Sequence, residues 1–316
     1  MKKTLLIGIP VIAIIILGLY LIIPTNSSTT AAKDEEGSQQ QLDNTVSNKT
    51  RTDYNISILL DLSDRVIEPP MNPSQKVRDL EIISSVIDVF RGNMKKKGAY
   101  LAKDKMRIIF SPPPSDPNVN NIASRLSVDL SKLDNASKKE VYDNVEKDFE
   151  DGLEEIYDLT IDNSKWLGSD IWRFFKYDID LCIEQDPSYK NILIIVTDGY
   201  LYHKQSELVK DPKHPNQTAF ITPKYLERKE FWNNPNWKEK FESEDFGLIS
   251  HDRNFDNLDV LVLEINPSPN HRDDQDIIRA YLVKWFEEMG ITSPSLAIYD
   301  TDLPVNTKRR IELFFK

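Results

Sequence analysis

The sequence predicts an α/β fold, a doubly wound and mostly parallel sheet with helices on both faces. Two observations predict it. Four short runs are almost continuously apolar: "YNISILLDL" (54–62), "KMRIIFS" (105–111), "NILIIVTDG" (191–199) and "LDVLVLEI" (258–265). Runs of that kind belong to strands covered on both faces. Segments of helical periodicity lie between them, and strands that alternate with helices build largely parallel sheets.

The elements follow in chain order. After the first strand, "MNPSQKVRDLEIISSVIDVFRGN" reads as a helix, with Asn72 as its cap and Pro73 at the first helical position. Val77, Leu80, Ile83, Ile87 and Phe90 form its apolar stripe. The second strand is 105–111. "SDIWRFFKYDIDLCIEQ" (169–185) is expected to be a helix with Ile171, Phe175, Ile179 and Cys182 on one face. Strands 191–199 and 258–265 come next. A helix over 273–290 then turns Ile277, Ile278, Tyr281, Leu282, Trp285 and Met289 inward, with Gly290 as a cap. "SLAIYD" and "RRIELFF" read as short terminal strands.

Two stretches read as insertions. The first, about 112–167, opens with "PPPSDP" and carries an acidic run over 138–158 that reads as a solvated helix face. The second, about 200–257, sets Tyr225, Phe231, Trp232, Trp237, Phe241 and Phe246 among many charges. Those rings either pack the insertion onto the domain or, if exposed, form a protein interface.

The chain of 316 residues is 40% hydrophobic and carries a formal net charge of -11. That balance argues against a nucleic-acid binder, which shows a basic footprint. The lone Cys182 forms no internal disulfide and reads as a core thiol. At the N-terminus, Lys2 and Lys3 precede an uncharged apolar run from Thr4 to Ile23, long enough for a helix to cross a bilayer. Secretory leaders have shorter apolar cores, so residues 1–24 are expected to be an uncleaved anchor. Cleavage near "STTAAK" is the alternative. With no cysteine after the run, a bacterial lipoprotein is excluded.

The lysines place the N-terminus in the cytoplasm and the bulk of the chain outside the inner membrane, periplasmic or extracellular. Residues 25–52 are polar and read as a disordered linker, leaving 53–316 as the folded domain.

In open α/β sheets, ligands sit beyond the carboxyl ends of the strands. Three segments deliver polar groups there: Asp61-Leu62-Ser63-Asp64-Arg65, Gly168-Ser169-Asp170 and Thr197-Asp198-Gly199. Neighbouring strands would bring Asp61 and Asp198 together. Two adjacent carboxylates repel, and one is driven towards its neutral form unless a cation intervenes. Hydroxyls of Ser63 and Ser169 would complete a hard-oxygen shell suited to Mg2+. Individually, Ser63 and Ser169 also suit turns and helix caps, and Asp170 suits the first turn of a helix.

Together these three segments resemble a von Willebrand factor A domain, whose loops form a metal-ion-dependent adhesion site. The family pattern falls on Asp61, Ser63, Arg65, Ser169 and Asp198, and the resemblance covers about 54–300 with both insertions unmatched. Arg65 stands where the family has a second serine ligand. Its guanidinium either points away, pairs with Asp64, or replaces the ion by forking to Asp61 or Asp198.

The resemblance implies a bacterial, membrane-anchored envelope protein that binds another protein, with no chemistry of its own. Asp61, Ser63, Ser169 and Asp198 would ligate Mg2+, while Asp64, Arg65 and Asp170 modulate them. No phosphate-binding glycine loop, zinc signature or serine-nucleophile elbow is present. Two alternatives stay open: a metal-dependent phosphoesterase-like hydrolase using Asp61 and Asp198, and a structural envelope protein with an inactive site.

Overall fold

Parallel strands buried on both faces need a helix for each return, and the chain supplies them. The computed structural model describes residues 52–67, 70–163, 168–267 and 273–316. The expected anchor and most of the linker lie outside them. Among the described residues no helix is long and apolar enough to cross a membrane.

The chain runs β1 (Asp53–Leu60), α1 (Gln75–Lys97), β2 (Lys105–Ile109), α2 (Pro117–Arg125), β3 (Ser127–Asp129) and α3 (Asn135–Asn163). It continues through α4 (Ile171–Tyr177), β4 (Tyr189–Val196), β5 (Gln217–Thr218), α5 (Pro223–Arg228), α6 (Trp237–Ser243) and β6 (Gly247–Leu248). It closes with β7 (Leu258–Ile265), α7 (Asp274–Glu288), β8 (Leu296–Asp300) and α8 (Pro304–Phe314).

Six strands form one sheet in the order β3-β2-β1-β4-β7-β8, and β5 pairs with β6 separately. All pairings in the main sheet are parallel except β2 with β3. This mixed sheet fits the von Willebrand A-like arrangement. Alternation along β1 sets the layers. Ile56, Ile58 and Leu60 join α1, α2, α3 and α8 on one face, while Leu59 joins α4, α7 and the 200–257 segment on the other. The fold is therefore an α/β sheet with helices on both sides, as expected.

Several elements differ from expectation for identifiable reasons. The cap of α1 is Ser74, whose hydroxyl accepts from the Val77 amide, and Asn72-Pro73 lies ahead of the helix. Val77 is 42% exposed, because the first turns of α1 instead bury Gln75, Arg78 and Asp79. The 169–185 helix is shorter: α4 stops at Tyr177 and a 3₁₀ turn, Ile179–Cys182, follows. Its stripe Ile171, Phe175, Ile179 and Cys182 is buried as read, and burial pushes the Cys182 thiol up to about 11.

"RRIELFF" is not a strand but the end of α8, where Ile311 and Phe315 pack under β1 beside Tyr54. The first expected insertion belongs to the sheet layer itself: β3 extends the edge and α3 packs on α1 through Val145, Phe149, Leu153, Ile156 and Tyr157. The aromatics of 200–257 pack inward. Tyr225, Phe231, Trp237, Phe241 and Phe246 are buried against Tyr281 and its neighbours on α7.

Candidate functional site at the carboxyl edge of the sheet

Strand register brings the first pair of residues together. Leu60 pairs with Val196, and the Asp61 amide donates to the Val196 carbonyl at 3.1 Å. Asp61 and Thr197, each the first residue past its strand, therefore lie side by side. Thr197 Oγ1 donates to Asp61 Oδ2 at 2.8 Å, and the Ser63 amide donates to Asp61 Oδ1 at 2.8 Å. Asp61 is only 3% exposed, so these two bonds fix its carboxylate.

One residue beyond Thr197, the half-buried Asp198 accepts the Tyr200 amide at 2.9 Å. Burial, and then repulsion from Asp61, push the Asp198 carboxyl up to about 8. The two acids expected to meet at this edge thus feel each other. Gly199 is required beside them. Its φ is +95°, and a Cβ there would lie 2.6 Å from Ile278 Cγ2.

Ser169 arrives from the loop before α4. Gly168, at φ +82°, lets this loop press on the chain after β4, for a Cβ there would sit 2.1 Å from the Tyr202 carbonyl oxygen. Ser169 and Tyr202 then exchange two backbone hydrogen bonds of 2.9 Å. Ser169 is 2% exposed, and its Oγ has no hydrogen-bond partner among the described residues. A buried hydroxyl of that kind is costly unless something fills the gap.

The cap of α4 is Asp170 rather than Ser169. Its Oδ1 accepts the Arg173 amide at 3.2 Å and the Ser206 hydroxyl at 2.7 Å, while Oδ2 lies 3.2 Å from His203 Nδ1 and 3.6 Å from Arg173 Nε. Asp170 is thus occupied in holding the loop.

Arg65 takes a course that its sequence position did not disclose. Its Nε donates to the Asp61 carbonyl at 2.9 Å and stands 3.9 Å from Asp61 Oδ2, and Nη2 donates to Asp79 Oδ2 at 2.7 Å. The fork goes to Asp79, not to Asp198 or Asp64, and Asp64 is exposed. Asp79 also accepts Gln75 Nε2 at 2.8 Å and the Tyr157 hydroxyl.

Gln75 reaches on to Glu264 at 3.3 Å, and Arg78 clamps Glu264 through Nε at 2.8 Å and Nη2 at 2.9 Å. Glu264 sits at φ +72°, where the β7–β8 register shifts, and the clamp holds it there. Burial pulls the Arg65 pKa down, but Asp79, Tyr157 and Asp61 outweigh it and hold the guanidinium charged. Burial pushes Asp79 up, opposed by Arg65, and pushes Tyr157 well above its usual range.

Sequence reasoning missed Arg78, Asp79, Tyr157 and Glu264 as site supports. The signal was present in α1. Arg78 and Asp79 stand four residues ahead of the buried Ile82 and Ile83, on the inner face of the helix.

Beside these loops a cleft of about 300 Å³ opens between the end of β1, the 110–119 segment, α3 and Gly168, and none of Asp61, Ser63, Ser169 or Asp198 lines it. Among the described residues no group of three or more His, Cys, Asp or Glu side chains converges as a metal cluster. What the edge offers is two acids, Asp61 and Asp198, with the Ser63 and Ser169 loops beside them.

No family model and no curated protein matches the sequence. One solved structure, described as that of an aerotolerance-related membrane protein from Bacteroides fragilis NCTC 9343 with multiple mutations to serines, is similar over 83% of this chain and 97% of its own. The identity is 14% and the TM-score 0.38. A likeness at that level carries no argument, so the site rests on its own geometry.

Proposed function

We propose that this is a von Willebrand A-like envelope domain, held to the bacterial inner membrane by residues 4–23, that binds another protein at the carboxyl edge of its sheet. The observation that carries the reading is the unpartnered, buried Ser169 Oγ, at the same edge as an acid pair whose second member is pushed towards its protonated form.

A divalent cation answers both defects. It accepts a hydroxyl ligand, and it lets both acids ionise. Two carboxylates and two hydroxyls suit Mg2+, which prefers oxygen and keeps several waters. Asp61, Ser63, Ser169 and Asp198 would hold it, and the ion would supply an open position for a carboxylate of the partner. Arg65 does not stand in for the ion in this reading: its fork hydrogen-bonds Asp79, and although it comes within 3.9 Å of Asp61 Oδ2 it makes no hydrogen bond to Asp198.

Calorimetric titration of the chain with Mg2+ tests this. Binding with a raised Tm is expected, and both effects should be lost in Asp198→Ala and weakened in Ser169→Ala. No binding, with an unchanged Tm in chelator, removes the cation. Turnover of simple phosphate esters that depends on Asp198 would replace adhesion by hydrolysis.

A further inference from the structure

The opposite edge of the sheet carries a different surface. The 3₁₀ turn 99–101 presents Tyr100 and Leu101 to solvent, 59% and 62% exposed. Exposed lysines surround them: Lys95 and Lys96 on the last turn of α1, Lys103 just after the turn, and Lys139 on the first turns of α3. In a chain of net charge -11 this concentration of cations is local. Of the acids nearby, Asp53 and Asp104 pair with Lys97 and Asp129 with Lys105 and Lys132, Asp134 accepts the Ser137 amide, and Glu140 beside Lys139 is exposed. Asp186 lies close to Lys103. The turn is braced from behind, since the buried Lys138 donates to the carbonyls of Tyr100 and Ala102 at 3.0 and 2.8 Å.

The same edge is where the chain enters the domain. The Thr52 carbonyl accepts from Asn93 Nδ2 at 3.2 Å and from Lys97 Nζ at 3.3 Å, and the Lys103 amide donates to Asp53 at 2.9 Å. The segment 25–52 that leads back to the apolar run therefore leaves from beside this patch. At 28 residues it spans no more than about 100 Å even at full stretch, so the domain stays within that distance of the apolar run. Tethering at that range turns weak surface contacts into populated ones.

We propose that this pole, Tyr100 and Leu101 ringed by Lys95, Lys96, Lys103 and Lys139, docks on the anionic phospholipid surface of the membrane that anchors the chain. An aromatic and an aliphatic side chain enter the headgroup region while lysines meet lipid phosphates, the two-signal pattern of stable peripheral attachment. Docking in this sense aims the opposite edge, with Asp61, Ser169 and Asp198, away from the lipid.

The inference rests on the anchor, so the test reports the two separately. The full chain is reconstituted into vesicles with and without about 30% phosphatidylglycerol. Resistance to carbonate extraction reports the anchor. Amide hydrogen exchange over 95–103 reports docking. Protection at least fivefold greater with phosphatidylglycerol is expected, lost in high salt and in Lys95→Gln/Lys96→Gln/Lys103→Gln. Equal exchange in both lipids for a chain that resists extraction overturns the docking alone, and extraction of the chain overturns its basis.

Discussion

Two polar regions lie within one side chain's reach of each other and are finished differently. Beneath the β1 loop, each buried charge has its counterpart: Arg65 with Asp79, Arg78 with Glu264, and Gln75 and Tyr157 filling the remaining lone pairs. At the rim, Ser169 Oγ has no partner among the described residues, and Asp198 faces Asp61 with a backbone amide as its hydrogen-bond donor. Buried polarity is normally satisfied because leaving it bare is expensive. The contrast separates a region whose polar groups are completed internally from a rim where Ser169 and Asp198 are not, and the proposed cation would act at the rim.

The comparison breaks most visibly at Arg65. Arg65→Met strands the Asp79 carboxylate in the core and should cost about 3–5 kcal/mol in urea denaturation, with much of it recovered by adding Asp79→Leu. A loss under 1 kcal/mol would mean that the lower network is not the completed one. Next comes Gly168→Ala, which forces a Cβ onto the Tyr202 carbonyl at positive φ. A loss of about 3 kcal/mol is expected, together with weaker Mg2+ binding in the calorimeter.

The rim then shows itself through pH. Asp198 holds its proton more tightly folded, at about 8, than at its ordinary 3.8. Its contribution is fully present below about pH 4 and is lost as pH rises through 8, because the unfolded chain has already released the proton. Thermal melts without divalent cation should lose on the order of 1–2 kcal/mol across that window, a modest figure because the carboxyl still reaches water. Asp198→Asn should flatten this slope, and Mg2+ should reverse it. The smallest effect belongs to Ser169→Ala. Without cation it should be neutral or stabilising by up to about 1 kcal/mol, since a bare hydroxyl is removed. A clear destabilisation would reveal an internal partner for Ser169.

How far the sequence disclosed this depends on the residue. The apolar runs placed β1, β4 and β7 within a few residues, because strands buried on both faces leave a signal independent of neighbours. Asp61 and Asp198 were legible because each ends such a run. Arg65 was legible as an anomaly but not in direction, since its partner Asp79 comes from a helix whose inner face is polar in its first turns. The strand expected over 309–315 failed because Ile311 and Phe315 sit four apart, a helical spacing that "RRIELFF" is too short to distinguish from alternation. The 112–167 stretch looked foreign because β3 is only three residues long, too brief for a periodicity.

The paired amides and carbonyls of Ser169 and Tyr202 extend one step further, for Leu201 and Ile221 exchange hydrogen bonds of 2.9 and 2.8 Å in turn. The hydroxyl-bearing loop is thereby stitched to the start of the 200–257 segment. A chimera that exchanged this segment would carry the geometry of the rim along with it, so that ligand preference and cation affinity would be inherited as one unit and could not be varied independently.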